Sequence, residues 1–252
     1  MFYLKIFNKS NIISILSIIF ILGTNSSLFA SSNSEALAQR VSDAISNHYD
    51  EYFDVSANNN GVVRIEGQVN SLYDKYNIFD IVERVRGVKG IDDFITVHTS
   101  MLPDDIIKVN IENDLRLAKS ILEPNRIKVQ VTNGIVILNG TVSYYKEKLE
   151  AETIASWQKG ATGVVNQIKV LPTKAAVSDK NLSIILKDII RDRFPLDKKI
   201  HFAVNDGVVT LAGYSHNMWV MDHLQKDCLK IKGVKKVIND IKTAPEQYPN
   251  FL

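Results

Sequence analysis

The chain has 252 residues, with 30 Lys and Arg against 28 Asp and Glu, a formal charge of +2. That balance gives no basic excess of the kind a nucleic-acid partner demands. A single cysteine, Cys228, excludes an intramolecular disulfide and a cysteine metal cluster; it reads as a small core residue on an amphipathic helix. In chain order, Lys5 and Lys9 come first, an apolar run follows from Ile12 to Leu22, and Ser26 to Ala30 offers small residues for a cut. This is the layout of a secretory signal peptide over residues 1–30. A retained membrane anchor is the alternative, but the dense apolar part falls well short of the ~20 residues a spanning helix needs. Without residues 1–30 the formal charge is zero, because that segment holds two lysines and no acid.

Beyond Ala30 the sequence repeats itself three times with a period of 73 residues. The shift superposes Gly61, Gly134 and Gly207, then Gly67, Gly140 and Gly213, then Gly87, Gly160 and Gly233. A fixed period across that many glycines marks tandem copies of one unit. Each copy opens with a helical stretch: Ala36 to Ser46, Ile106 to Ile121, Leu182 to Arg193. Alternating apolar residues follow, such as Ile127, Val129 and Val131, and then an Asn-Gly or Asp-Gly pair. Those residues tolerate the positive φ of a tight hairpin turn. In the first copy Asn58-Asn59-Asn60 carries one residue more, so a looser turn is expected there.

A second strand runs to the second glycine, after which apolar residues take helical spacing: Ile78, Val82 and Val85; Ala151 and Ala155; Leu224, Cys228 and Ile231. The third glycine is expected to cap that helix at its C-terminus. A final strand follows at Phe94–Val97, Gln167–Val170 and Asn239–Lys242, with Asp92-Asp93 read as a solvated pair in the preceding turn. The fold class is therefore α+β: three tandem small αββαβ modules, each a small mixed sheet with helices packed on one face. The expected modules are residues 34–100, 102–172 and 178–244, joined by short proline-marked breaks. Units of about 70 residues lie near the lower limit of independent stability, so the copies are expected to pack on one another.

The Asn/Asp-Gly turn, the alternating Val and Leu, the second Gly, the Ala-rich helix and the closing Gly-Val strand together resemble the BON domain. Copy two carries it most clearly, from Val131-Thr132-Asn133-Gly134 through Gly140-Thr141-Val142, Ala151 and Ala155 to Gly163-Val164-Val165-Asn166. Copy one departs with Ile78 and Val82 in place of the alanines, and copy three with Ser215 where the others have Val69 and Val142. Three copies behind a signal sequence are similar to osmotically induced periplasmic proteins and outer-membrane BON lipoproteins. The resemblance implies a periplasmic location, phospholipid binding and support of the envelope under stress, with chaperone activity in some relatives.

Charge is unevenly spread, at −5, +1 and +4 over residues 31–100, 101–173 and 174–252. The basic end gathers Lys226, Lys230, Lys232, Lys235 and Lys236. One reading is that these cations complement a helix C-terminus. The other adds Met218, Trp219 and Met221 at the helix start, making an interfacial contact with an anionic phospholipid surface. Packing of Trp219 and Met221 onto a neighbouring module competes with it. No His-Glu-x-x-His, Cys-x-x-Cys or glycine-flanked serine is present, so no enzyme, cofactor or metal is expected. His216 and His223, seven apart, form only a weak metal pattern. The expected partners are membrane phospholipid and, alternatively, other envelope proteins or exported clients bound by a chaperone or scaffold.

Overall fold

The computed structural model describes residues 25–171 and 177–244. The first module comprises α1 (Asn25–Ser46), β1 (Phe53–Ala57), β2 (Val62–Val69), α2 (Leu72–Glu83) and β3 (Gly90–Val97). The second comprises α3 (Asp104–Leu117), β4 (Ile127–Thr132), β5 (Ile135–Val142), α4 (Tyr145–Trp157), β6 (Gly163–Asn166) and β7 (Lys169–Val170). The third comprises α5 (Asp179–Arg193), β8 (Ile200–Asn205), β9 (Val208–Ser215), α6 (Met218–Lys230) and β10 (Lys236–Thr243). In each, an antiparallel hairpin supplies two strands and the last strand pairs parallel to the second, which is therefore central. A parallel neighbour requires a crossover, and α2, α4 and α6 provide it.

The hairpins follow the turn chemistry. Asn133 and Gly134 have φ of 52° and 76°, Asp206 and Gly207 have 49° and 74°, and the flanking residues pair directly as Thr132 with Ile135 and Asn205 with Val208. Positive φ at both central residues defines the two-residue turn that matches strand twist. In the first module Ala57 pairs with Val63 instead, and Asn58 Oδ1 accepts from the amides of Asn60 and Val62 across a wider loop.

Each module has its own core. Val41, Ile45, Val63, Ile65, Ile78 and Val82 are buried in the first; Ile107, Ile111, Leu138, Ala151 and Ala155 in the second; Leu186, Val209, Leu211, Leu224 and Cys228 in the third. Full burial of one such aliphatic side chain is worth about 1.5–3 kcal/mol, so strand and helix are held by the same stripe that the repeat displays.

Several sequence expectations are corrected. The crossover helices end at Glu83, Trp157 and Lys230, so Gly87, Gly160 and Gly233 are not their caps. These glycines have φ of 100°, 93° and 101° in the turn that leads into the last strand. Helix α3 stops at Leu117, and Ile121 is buried beyond its end. Asp92 and Asp93 belong to β3, where Asp93 pairs with Lys75 at 2.6 Å and accepts from the Ile95 amide. The expected signal peptide falls largely on residues 1–24, outside the described residues, as does most of the second linker at 172–176. No helix among the described residues is long and apolar enough to cross a membrane.

The three crossover helices pack against one another. Tyr73, near the start of α2, meets Trp157 at the end of α4 edge-to-face, with centroids 5.0 Å apart. Trp219, near the start of α6, meets Arg84 at the end of α2, with the guanidinium 4.0 Å from the ring centroid. Tyr73 and Trp219 occupy equivalent repeat positions, as do Trp157 and Arg84. The contacts are thus head-to-tail, the arrangement that closes into a ring. The third pair of equivalents, Lys146 and Lys230, is two exposed cations, and a cleft between modules 2 and 3 lies beside Lys230.

Candidate functional site

The junction of modules 1 and 3 is built by α2 and α6. Asn217 caps α6 by accepting from the Val220 amide at 3.1 Å, and its Nδ2 donates across the junction to the Arg84 carbonyl at 3.0 Å. One buried side chain thus starts a helix and fastens two modules. Trp219 Nε1 donates to Asp80 Oδ1 at 2.9 Å, and its ring stacks on His223 with centroids 4.1 Å apart. Met218 packs on the core of module 1, and Met221 on that of module 3. Of the sequence-predicted membrane residues, Met218 and Trp219 are therefore committed to packing between modules. Met218, Trp219 and Met221 are each half-buried by these contacts.

Charged groups crowd the same junction. Asp80 pairs with Arg84 at 2.9 Å and lies 3.2 Å from His223 Nε2; Asp222 pairs with Lys226 at 2.5 Å. Burial, reinforced by Asp222 and Asp80, pushes the Glu83 carboxyl up to about 7. Burial also lowers the His223 pKa, against the pull of Asp80. Burial works against the Lys226 charge too, yet its hydrogen bond to Asp222 and the charges of Asp222 and Glu83 hold its pKa above the ordinary value. Asp80, Glu83, Arg84 and Asp222 escaped the sequence reading because each is an unremarkable surface charge on its own helix. The repeat register held a hint, since Asp80 and Lys226 are equivalent positions bearing opposite charges.

The remaining lysines have a different setting. Lys230 pairs with buried Asp227 at 3.0 Å, and Asp227 is also engaged by Arg193. Lys235 pairs with exposed Asp206 at 2.8 Å across the turn of module 3. Lys232 and Lys236 are exposed and make no ion pair among the described residues. Lys230, Lys232 and Lys235 line a cleft of about 620 Å³ between modules 2 and 3, opposite Tyr145, Val170 and Leu171 of module 2. The structure thus divides the predicted cluster: Lys226 faces the module 1–3 junction, and the other lysines face solvent or the module 2–3 cleft.

The sequence-predicted histidine pair does not converge. His216 precedes α6 and binds buried Asp197 at 2.8 Å, whereas His223 lies in the junction. Cys228 is buried in the core of module 3, and burial together with Asp227 pushes its thiol up to about 12, which leaves no reactive thiolate.

Three αββαβ modules with equivalent strand order and matched cores define a tandem-repeat α+β protein. The model of the BON domain matches residues 33–99, 103–172 and 184–245, most of the chain, and the chain belongs to that family. A relative from Anaplasma centrale, described as an uncharacterized protein in the gshII 5′ region, is 28% identical over 121 residues, covering 46% of this chain and 80% of its own. Among solved structures, CdsD, a structural protein of the type III secretion system of Chlamydia trachomatis, is 16% identical with a TM-score of 0.24, covering 84% of this chain and 94% of that one. The PrgH periplasmic domain is 11% identical at 0.21, covering 81% and 99%. Superpositions that loose bear on neither fold nor function.

Proposed function

We propose that this is a non-enzymatic, extracytoplasmic protein that binds anionic phospholipid surfaces through the basic rim of the module 2–3 cleft and so supports the envelope under stress. The observation that supports it is the composition of that cleft: apolar walls from Val170, Leu171 and Val234, with Lys230, Lys232 and Lys235 at its edge. Phosphate headgroups take the lysines, and the apolar walls accommodate the lipid beneath them. Each lysine near an anionic surface contributes about 1 kcal/mol. Four of them, Lys230, Lys232, Lys235 and Lys236, total roughly 4 kcal/mol, about a thousandfold in affinity, reduced where Asp227 and Asp206 already share the charge. Trp219 plays no part, since its indole is spent on Asp80 and Arg84.

Vesicle pelleting tests the reading. Anionic vesicles are expected to bind the chain at low salt and release it at high salt, as screened surface charges require, and zwitterionic vesicles to leave it in solution. Lys232→Glu with Lys236→Glu removes two unpaired cations without touching the buried Asp227 and is expected to weaken binding at least tenfold. Equal binding to both vesicle types, or none to either, refutes the proposal. Suppression of an unfolded polypeptide's aggregation without lipid would instead favour the chaperone reading, which the apolar walls of the same cleft also suit.

A further inference from the structure

The module 1–3 junction holds one more carboxylate than its donors satisfy. Asp80 receives Arg84 and Trp219, and Asp222 receives Lys226. Glu83, half-buried beside them, receives no hydrogen bond among the described residues. His223 completes the group with a fixed orientation. Its Nδ1 lies 3.1 Å from the carbonyl oxygen of Trp219, and that oxygen can only accept. Nδ1 therefore carries a hydrogen, 3.8 Å from Asp222 Oδ2, which leaves Nε2, 3.2 Å from Asp80 Oδ1, as the ring nitrogen open to a ligand.

One donor atom from each of Glu83, Asp222 and His223 lies within 4.8 Å of the other two. We infer that these three side chains form a binding site for a divalent transition-metal ion, zinc being the type, that clamps module 1 to module 3. Zinc takes His nitrogen and carboxylate oxygen at about 2.0–2.2 Å, so the donors close in by roughly an ångström, within reach of side-chain rotation at a half-buried surface. Donation of the second ring nitrogen's hydrogen to a backbone carbonyl is the support that metal-bound imidazoles use, and here it is in place beforehand. The Trp219 ring stacked on His223 fixes the plane of the imidazole. Asp222 holds Lys226 on Oδ2, and a carboxylate has lone pairs left over for an ion. A nitrogen donor among two carboxylates favours zinc over magnesium, which prefers an all-oxygen shell. The nearby charges of Lys226 and Arg84 make the clamp one of modest affinity. This site stands apart from the lipid reading, since it lies at a different junction.

The test uses the full chain, stripped with a chelator and then titrated with zinc or magnesium. Zinc is expected to raise the thermal midpoint by several degrees, by binding only the folded form, and magnesium to leave it unchanged. His223→Gln and Glu83→Gln, folded by circular dichroism, are each expected to abolish the zinc shift, while His216→Gln retains it. A second readout leaves the site itself unaltered: in a Trp157→Phe background, which keeps an aromatic ring against Tyr73, Trp219 is the one tryptophan, and cobalt bound at His223 is expected to quench its fluorescence saturably. The inference is overturned if zinc fails to shift the unaltered chain, if magnesium matches it, if His223→Gln responds as the unaltered chain does, or if cobalt leaves Trp219 emission unquenched. Vesicle binding is measured in parallel with chelator present, so loss of either property is seen separately.

Discussion

A side chain on Gly134 would place its Cβ 2.8 Å from the Gly160 carbonyl oxygen, on Gly207 2.8 Å from that of Gly233, and on Gly61 2.5 Å from that of Gly87. The first glycine of each repeat therefore does two jobs: it takes a positive φ, and it lets the hairpin turn touch the loop leading to the last strand. The amide two residues beyond each of those contacts closes the same join, with Lys89, Thr162 and Lys235 donating to the carbonyls of Gly61, Gly134 and Gly207 at 2.8–2.9 Å. Left-handed backbone costs an L residue about 1–2 kcal/mol, and the carbonyl clash adds to it. Gly134→Ala and Gly207→Ala are expected to lower stability by about 2–3 kcal/mol each in urea unfolding. Gly90→Ala, whose Cβ would sit 3.4 Å from Val62 Cγ2 on ordinary strand backbone, is expected to stay within about 1 kcal/mol of the unaltered chain. The turn was legible because its chemistry is local to two residues. The role of Gly160 was misread because a helix cap and a following turn demand the same sign of φ, and only the helix's actual end, at Trp157, distinguishes them.

Between the first helix and the hairpin, modules 2 and 3 share a brace that the periodic pattern did not reveal. Asp104, at the start of α3, accepts from the amides of Asn133 at 2.8 Å and Gly134 at 3.0 Å. Asp179, at the start of α5, accepts from Asp206 at 2.8 Å and Gly207 at 2.9 Å. Each carboxylate also sits where a helix N-terminus favours negative charge. Acids at a helix start read as caps for their own helix, and nothing nearby in sequence shows that these reach a turn almost thirty residues on. Bonds from neutral donors to a charged acceptor contribute about 1.5–3 kcal/mol, less for a partly exposed carboxylate. Asp104→Ala is therefore expected to cost about 1–2 kcal/mol. Amide exchange should show it directly, with protection falling at Asn133 and Gly134 while the amides of β9 keep theirs; unchanged exchange at the turn would remove the brace from the account. The strands and crossover helices themselves were legible because burial on one face imposes a period, whereas the end of α3 at Leu117 was not, since the apolar Ile121 beyond it continues the helical spacing.

At the scale of the molecule, three equivalent positions in the crossover helices do unequal work, and this inequality decides how the ring behaves. Tyr73 meets Trp157, Trp219 meets Arg84 and Asp80, and Lys146 is exposed, with its ammonium over Tyr144 of its own module. Periodicity showed that Trp219 stands off the core stripe, but an off-stripe aromatic suits a membrane and a neighbouring module equally. The docking of α6 on α2, a contact between residues more than a hundred apart in sequence, is what periodicity could not show. Truncating a fully buried Trp or Phe costs about 3–5 kcal/mol. A half-buried one at a junction is expected to cost about half that, so Trp219→Ala and Tyr73→Ala should each lose roughly 2 kcal/mol, while Lys146→Ala changes nothing measurable. The manner of loss separates a junction from a core. Each module keeps its own buried cluster, so Trp219→Ala is expected to split thermal unfolding, module 3 melting ahead of a still-folded pair, with Lys146→Ala retaining the original profile. A uniform downward shift of one unbroken transition would mean instead that the modules unfold as a single unit, and the ring would then be a continuous core with no separable joints.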